Sequence, residues 1–464
     1  MAVDYDLVIL GGTPEGVVAA ATAARYGGRV ALVLQGLDGR RSPLQMQGLL
    51  RQTPSALPTD SKTLRPQWQW QRAQQQAELI AACLTEADQS QLALQGVDIV
   101  DDSGEIVRDR PLTVATSARQ LTTRAILIAT GNRASLPALN GLTTLPYETP
   151  QSLLQRDELP TSVAIVGSSP AGLALAQGLR RWQIPVTLIT PQSSLLVDED
   201  PDLADWLLAV LRAQGADIQL DSRVTAVNSA ETGIILHVAD KRLTASTLVI
   251  AAPPVPNTEH LGLTVCMPAE RGIPVNAYLQ TKHPQIYACG SVIGGYELPA
   301  IARQEANWAV QNALFWKRQR VDYTCLPYDL PTHPPMARVG LSEPQALRRY
   351  QPDQLLISRQ PLHHNSQAQW QACITGFCKL IAHQDGRILG AHGAGPAANE
   401  WVQTVALLMA NKIPWWQLAH FSTLPDSLTD ILRQTAQTWE RDRWQVGRWR
   451  RDWAENWCNW RRSR

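Results

Sequence analysis

The feature that most constrains this chain is a strand, a glycine turn and a helix, used twice. The first copy is Leu7, Val8, Ile9 and Leu10, then Gly11, Gly12, Thr13, Pro14, Glu15 and Gly16, then an alanine-rich stretch over 17–25. The second is Val163, Ala164, Ile165 and Val166, then Gly167, Ser168, Ser169, Pro170, Ala171 and Gly172, then 173–181. The copies lie 156 residues apart, and the offset holds into the next strand, 30–34 against 186–190. This is a repeat of βαβ units, not of a short solenoid motif. Glycine permits the sharp reversal from strand to helix. A small middle residue lets backbone N–H groups approach a pyrophosphate, and the helix N-terminus offers unpaired N–H groups and its dipole to the anion. Thr13 and Ser169 stand at the middle position, small and able to add a hydroxyl. One degenerate turn is a weak signal; two in register, each between a strand and a helix, are a strong one. The competing reading is a pair of merely structural βα turns. The acid that usually holds the ribose about 20 residues on is replaced by Leu34 and Thr190, so nothing there selects NADH over NADPH.

Length and composition set the remaining bounds. The 464 residues allow about three domains at ~150 residues each. With 44% hydrophobic and 18% charged residues, the chain is expected to fold and not to be disordered. A net charge of +1 gives no global pull toward nucleic acid or membrane. No apolar run approaches the ~18 residues of a membrane helix. Seven cysteines, odd in number and widely scattered, do not form a disulfide scaffold. Met1 leads almost directly into the first strand, so no signal peptide is expected and a reducing cytoplasm is the expected compartment.

Three further stretches point to a family. Ala125 through Ala129, Thr130 and Gly131, followed by Leu136 and Pro137, resembles the second flavin motif of the pyridine nucleotide-disulfide oxidoreductases. Leu279, Gln280 and Thr281, followed by Ile286, Tyr287, Ala288, Cys289 and Gly290, resembles their third. Residues 337–343 and 376–380, with Gly390, His392 and Glu400, resemble their C-terminal interface domain. Within the family, Gly167, Ser168, Ser169 and Thr423 are most similar to the mercuric reductase branch, with dihydrolipoamide dehydrogenase and glutathione reductase as broader relatives.

The resemblance implies an α/β fold: two interleaved Rossmann-like dinucleotide-binding domains plus an α+β C-terminal dimerisation domain. The FAD domain is expected over 1–159 and 271–323, an inserted NAD(P)-binding-type domain over 160–270, and an interface domain over 324–438 that builds a homodimer. It implies FAD contacts from Gly11, Gly12, Thr13, Pro14, Gly16, Gln35, Ala129, Thr130, Gly131, Gly290 and Ser291. It implies nicotinamide-dinucleotide contacts from Gly167, Ser169 and Gly172.

Several family positions are altered. The redox pair C-x4-C belongs shortly after the first βαβ half, yet residues 37–50 contain no cysteine, and the first 82 residues contain none. A dithiol relay needs two sulfurs within bonding reach. Cys373 and Cys378 have the C-x4-C spacing, but five extended residues span ~16 Å, against the ~4.4–6.8 Å of bridged Cα atoms. By the resemblance, the catalytic histidine aligns with Phe421 and its partner glutamate with Asp426, while His420 is one position off. The glutamate near the nicotinamide aligns with Ala174, and the flavin-ribityl aspartate with Ser291. Mercuric reductases use a C-terminal cysteine pair; this chain has only Cys458 there. No catalytic residue is therefore assigned, and neither disulfide nor mercuric reduction is expected. His333, His363 and His364 lack a recognisable ligand spacing, so no metal site is assigned.

The last 26 residues hold six of the sixteen tryptophans, eight arginines and four acids, a net of +4 against −3 for the rest. At 100° per residue Trp449, Trp453, Trp457 and Trp460 share about 80° of arc. Such a basic tail helix over 439–464 suits a membrane surface, a partner's groove, or packing on the protein's own dimer. No other basic patch supports nucleic-acid binding. Two functional readings follow. One is an FAD-dependent oxidoreductase passing electrons from NAD(P)H to a small acceptor such as a quinone, without a redox disulfide. The other is a catalytically degenerate member that keeps the fold and acts as an FAD-binding or scaffold protein, with its tail as a means of docking on a membrane surface.

Overall fold

The computed structural model describes residues 3–36, 66–84, 89–231, 233–239, 241–262, 272–295, 298–424, 426–446 and 448–463. The expected redox-pair segment at 37–50 and Cys266 lie outside the described residues.

Strand β1 (Tyr5–Leu10) is wholly buried from Leu7 to Leu10. That continuous apolar run is what a parallel strand covered on both faces needs. Thr13 caps α1 (Pro14–Arg25) by accepting the Gly16 N–H, and Pro14 occupies the first turn, where its missing N–H costs nothing. The chain returns in β2 (Val30–Val33), parallel to β1 with Leu7 opposite Val30. Helices α2 (Pro66–Leu84) and α3 (Gln89–Leu94) lead to β3 (Asp98–Val100), beside β2. The antiparallel pair β4 (Glu105–Asp109) and β5 (Leu112–Ala115) runs on into β6 (Gln120–Ile128), parallel to β1. The sheet order is β3-β2-β1-β6-β5-β4.

After the short β7 (Asn132–Arg133) and α4 (Pro150–Leu153), the second unit repeats the first. It comprises β8 (Val163–Val166), α5 (Pro170–Arg181) and β9 (Val186–Ile189), then α6 (Pro201–Ala213) and β10 (Asp217–Gln219). A three-stranded antiparallel sheet follows, β11 (Val224–Ala230), β12 (Gly233–Val238) and β13 (Lys241–Ala245). Strand β14 (Thr247–Ile250) completes the order β10-β9-β8-β14, and β15 (Val255–Pro256) pairs with β7. Strand β16 (Ile286–Ala288) then rejoins the first sheet parallel to β6, and α7 (Pro299–Leu314) packs along α1. The two dinucleotide-type folds are thus interleaved, as expected.

The C-terminal sheet is antiparallel, in the order β17-β18-β21-β20-β19, from β17 (Tyr328–Leu330), β18 (Met336–Gly340), β19 (Leu355–Pro361), β20 (Phe377–His383) and β21 (Ile388–Ala394). Helices α8 (Glu343–Arg349), α9 (Ser366–Trp370), α10 (Ala398–Ala410), α11 (Trp415–His420), α12 (Asp430–Val446) and α13 (Arg448–Arg462) complete it.

The chain divides into two compact units, Met1–Pro191 with Gly215–Asp322, and Gln192–Gln214 with Tyr323–Arg464. Helix α6, within the expected 160–270 domain, is grouped with the second unit, where Lys379 on β20 donates to Asp200 at 2.8 Å and Asp202 at 2.7 Å, and pairs with Glu343 at 2.6 Å. The expected tail boundary at 439 also shifts. Ile431, Leu432, Ala436 and Trp439 form the buried face of α12, and Trp439 meets Trp415 edge-on at 5.2 Å. Trp439 is thus core. Trp453, Trp457 and Trp460 on α13 stack in sequence, with centroids 5.8 and 5.0 Å apart, and each stays about half exposed.

Candidate functional site

Three backbone segments meet at the N-terminus of α1. Gly11 has φ +123°, a region that excludes L side chains, and a Cβ there would lie 2.1 Å from the Ala129 carbonyl oxygen. Gly16 packs as tightly, its Cβ falling 2.0 Å from the Gly11 oxygen. The Thr13 hydroxyl donates to the Ala129 carbonyl at 2.7 Å, tying the first turn to the second motif. Thr130 donates to the Asn257 carbonyl at 2.6 Å. Gly131, in turn, faces Thr13 and Ser291, so the third motif reaches the same point. The expected residues Gly11, Gly12, Thr13, Pro14, Gly16, Ala129, Thr130, Gly131, Gly290 and Ser291 therefore gather round one helix end. Gln35 stands apart at the end of β2 in left-handed backbone (φ +59°), its amide donating to the Gly104 carbonyl at 2.6 Å.

Glu15 is the residue that sequence reasoning missed. It occupies the second position of α1 and is buried, 8% exposed. Its Oε1 lies 2.7 Å from where a Gly290 Cβ would stand and 3.9 Å from that of Gly131. Burial, and then the neighbouring Glu305 carboxylate, push Glu15 above the ordinary glutamate range, against the lowering pull of its own backbone N–H, of Thr13 and of Arg303. Glu305, 3% exposed on α7, accepts the Gly290 N–H at 2.7 Å. Cys289, fully buried, is pushed well up by burial, with both carboxylates adding. An acidic residue in a helix's first turn is ordinary, so only the burial marks Glu15 out.

The second turn repeats the first. Gly167 has φ +109° with its Cβ position 2.4 Å from the Ala251 oxygen, and Ser169 caps α5 by accepting the Gly172 N–H at 3.3 Å. The Ser168 and Thr190 hydroxyls meet at 3.2 Å, where a ribose-binding acid would otherwise stand. Ala174 is buried, 1% exposed.

In the C-terminal unit, Phe421 is 60% exposed and lines an open cleft with His420, Thr423, Asp426, Asp430, Arg433 and Gln437. His420 lies 3.4 Å from Glu440. Arg433 holds Asp430 at 2.7 Å, which lowers that carboxyl despite partial burial. Cys373 is an exposed free thiol, and Cys378 is buried in β20 and pushed up to about 12. The His363 and His364 rings stack edge-on, and His364 contacts Gln360. Among the described residues no three His, Cys, Asp or Glu side chains group to hold a metal. His392 is fully buried, bonding the Leu341 carbonyl at 2.9 Å.

Comparison with known proteins bears on this arrangement. The family model described as pyridine nucleotide-disulphide oxidoreductase matches residues 5–306, and the dimerisation-domain model of the same family matches 327–424. A mercuric reductase from Acidithiobacillus ferrooxidans is 29% identical over 321 residues, 68% of this chain and 58% of that protein. The chain thus spans under two thirds of that relative's length. The probable pyridine nucleotide-disulfide oxidoreductase RclA of Escherichia coli (strain K12) is 28% identical, covering 92% of this chain and 98% of that protein. The solved structure of the HOCl-induced flavoprotein disulfide reductase RclA from Escherichia coli superposes with a TM-score of 0.81 at 25% identity, over 93% of this chain and 99% of that one.

Proposed function

We propose, from the premise that this chain belongs to the pyridine nucleotide-disulphide oxidoreductase family, that it is an FAD-dependent oxidoreductase. It takes electrons from NAD(P)H to a small acceptor of the quinone type and does so without a redox disulfide. The observation that carries this is the convergence of the 11–16 turn, Ala129 to Gly131, and Gly290 with Ser291 on one helix end. Glycine backbone suits a dinucleotide's phosphates there: a Cβ at Gly11 would already strike the Ala129 carbonyl oxygen.

When bound there, flavin supplies a two-electron acceptor for a reduced nicotinamide. The chain's residues do the rest. Gly11, Gly12, Thr13, Pro14 and Gly16 would present the helix end to the pyrophosphate. Ser291 would offer the ribityl chain a hydroxyl without adding charge, and Gly167, Ser169 and Gly172 would present the second helix end to NAD(P)H. The first 82 residues offer no thiol to carry electrons onward. Phe421 has no proton to move, so the protons that a quinone-type acceptor takes up come from another group or from solvent. The dimerisation domain at 327–424 supports a homodimer as the working form.

The second reading, a degenerate FAD-binding scaffold, is favoured by the buried Ala174 and exposed Phe421, which stand at expected catalytic positions. One experiment separates the two. The purified protein, loaded with FAD, is mixed anaerobically with NADH or NADPH while its visible band is followed. Rapid loss of the band supports the oxidoreductase, and a persistent band supports the scaffold. A chain that stays colourless after incubation with FAD contradicts the oxidoreductase.

A further inference from the structure

Glu15 places a carboxyl where the three motifs meet, and its position there is physically expensive. A carboxylate at a helix N-terminus is stabilised by the dipole at an exposed site. Glu15 is instead buried, beside the second buried carboxylate of Glu305. Two like charges in such a site favour a neutral form for one of them. The other ionisable groups facing it, among the described residues, are Arg303, also on α7, and Cys289 after β16. The carboxyl lies in the first turn of α1 and against Gly290 and Gly131, in the space that the glycine backbone leaves for a pyrophosphate.

We propose, resting on the FAD reading above, that Glu15 is a built-in anion that competes with the flavin pyrophosphate for the N-terminus of α1. Flavin binding must therefore displace this carboxyl or protonate it. Protonation takes one proton from solvent and leaves a neutral acid that donates to phosphate oxygen. Flavin affinity then falls as pH rises, and Glu15 sets how firmly the cofactor is held. Glutamine at this position keeps the shape and a donor but removes the charge.

The test uses the full-length chain freed of flavin. Wild type and Glu15→Gln are titrated with FAD by calorimetry, in two buffers of different ionisation heat and at mildly acid and mildly alkaline pH. The expected result is that Glu15→Gln binds FAD roughly tenfold more tightly at alkaline pH. Wild type is expected to take up protons on binding and to weaken with rising pH, and the variant to show neither. Equal affinity and equal proton uptake in the two proteins overturn the role of Glu15 and leave the FAD reading intact. Failure of both to bind FAD overturns both. If Glu15→Gln does not fold, Glu15→Ala carries the same comparison.

Discussion

Two buried ionisable side chains, Glu15 and His392, give the protein opposite responses to pH. Glu15 is raised by burial, so the stability it allows is present at low pH and is lost as pH rises through its folded value. His392 is driven down from 6.5 to about 4 by burial, only partly offset by Asp200. The unfolded chain protonates this histidine first. Its contribution is therefore whole above about pH 6.5 and is lost as pH falls toward 4, about 3 kcal/mol across that window. Urea unfolding at a series of pH values checks this: His392→Gln is expected to flatten the acid limb. His392 was legible as part of the interface-domain motif that it shares with Gly390 and Glu400. Glu15 was not, because its identity is common at that position and only the fold buries it.

The glycine turns and the buried lysine behave differently as elements. Gly11 and Gly16 were legible because the spacing of strand, turn and helix demands close backbone approach wherever it occurs. Gly16→Ala is expected to cost about 1–3 kcal/mol and to abolish retention of FAD, since its Cβ would meet the Gly11 carbonyl; melting temperature and the bound-flavin spectrum read both. The anchor of α6 was not legible, because Asp200 and Lys379 are 179 residues apart and neither carries a local signal. Lys379→Met leaves the fully buried Asp200 without its cation and is expected to cost about 3–5 kcal/mol in denaturant unfolding. Trp439 differs for a related reason. By composition it reads with the six tryptophans of the tail, but the apolar face that begins at Ile431 draws it into the core.

At the scale of the whole molecule, the interleaved order of the two dinucleotide folds followed from the 156-residue repeat and the return of the third motif at Gly290. The tail followed less directly. Trp453, Trp457 and Trp460 stack on each other and stay about half exposed. Truncation after Val446 is expected to remove a readily quenched part of the tryptophan fluorescence and to leave the melting temperature unchanged, as Trp439 and Trp415 remain packed. A lowered melting temperature in the truncated chain would show instead that α13 stabilises the core.

The central claim is that electrons reach the acceptor from flavin without a thiol relay. Anaerobic titration of the flavin-loaded protein with a reductant, following visible absorbance, tests it most directly. A disulfide is itself a two-electron couple, so a disulfide-bearing relative takes up two electron pairs per flavin. This chain is expected to be fully reduced by a single pair, with no long-wavelength thiolate–flavin band on the way. Uptake of a second pair per flavin would contradict the account.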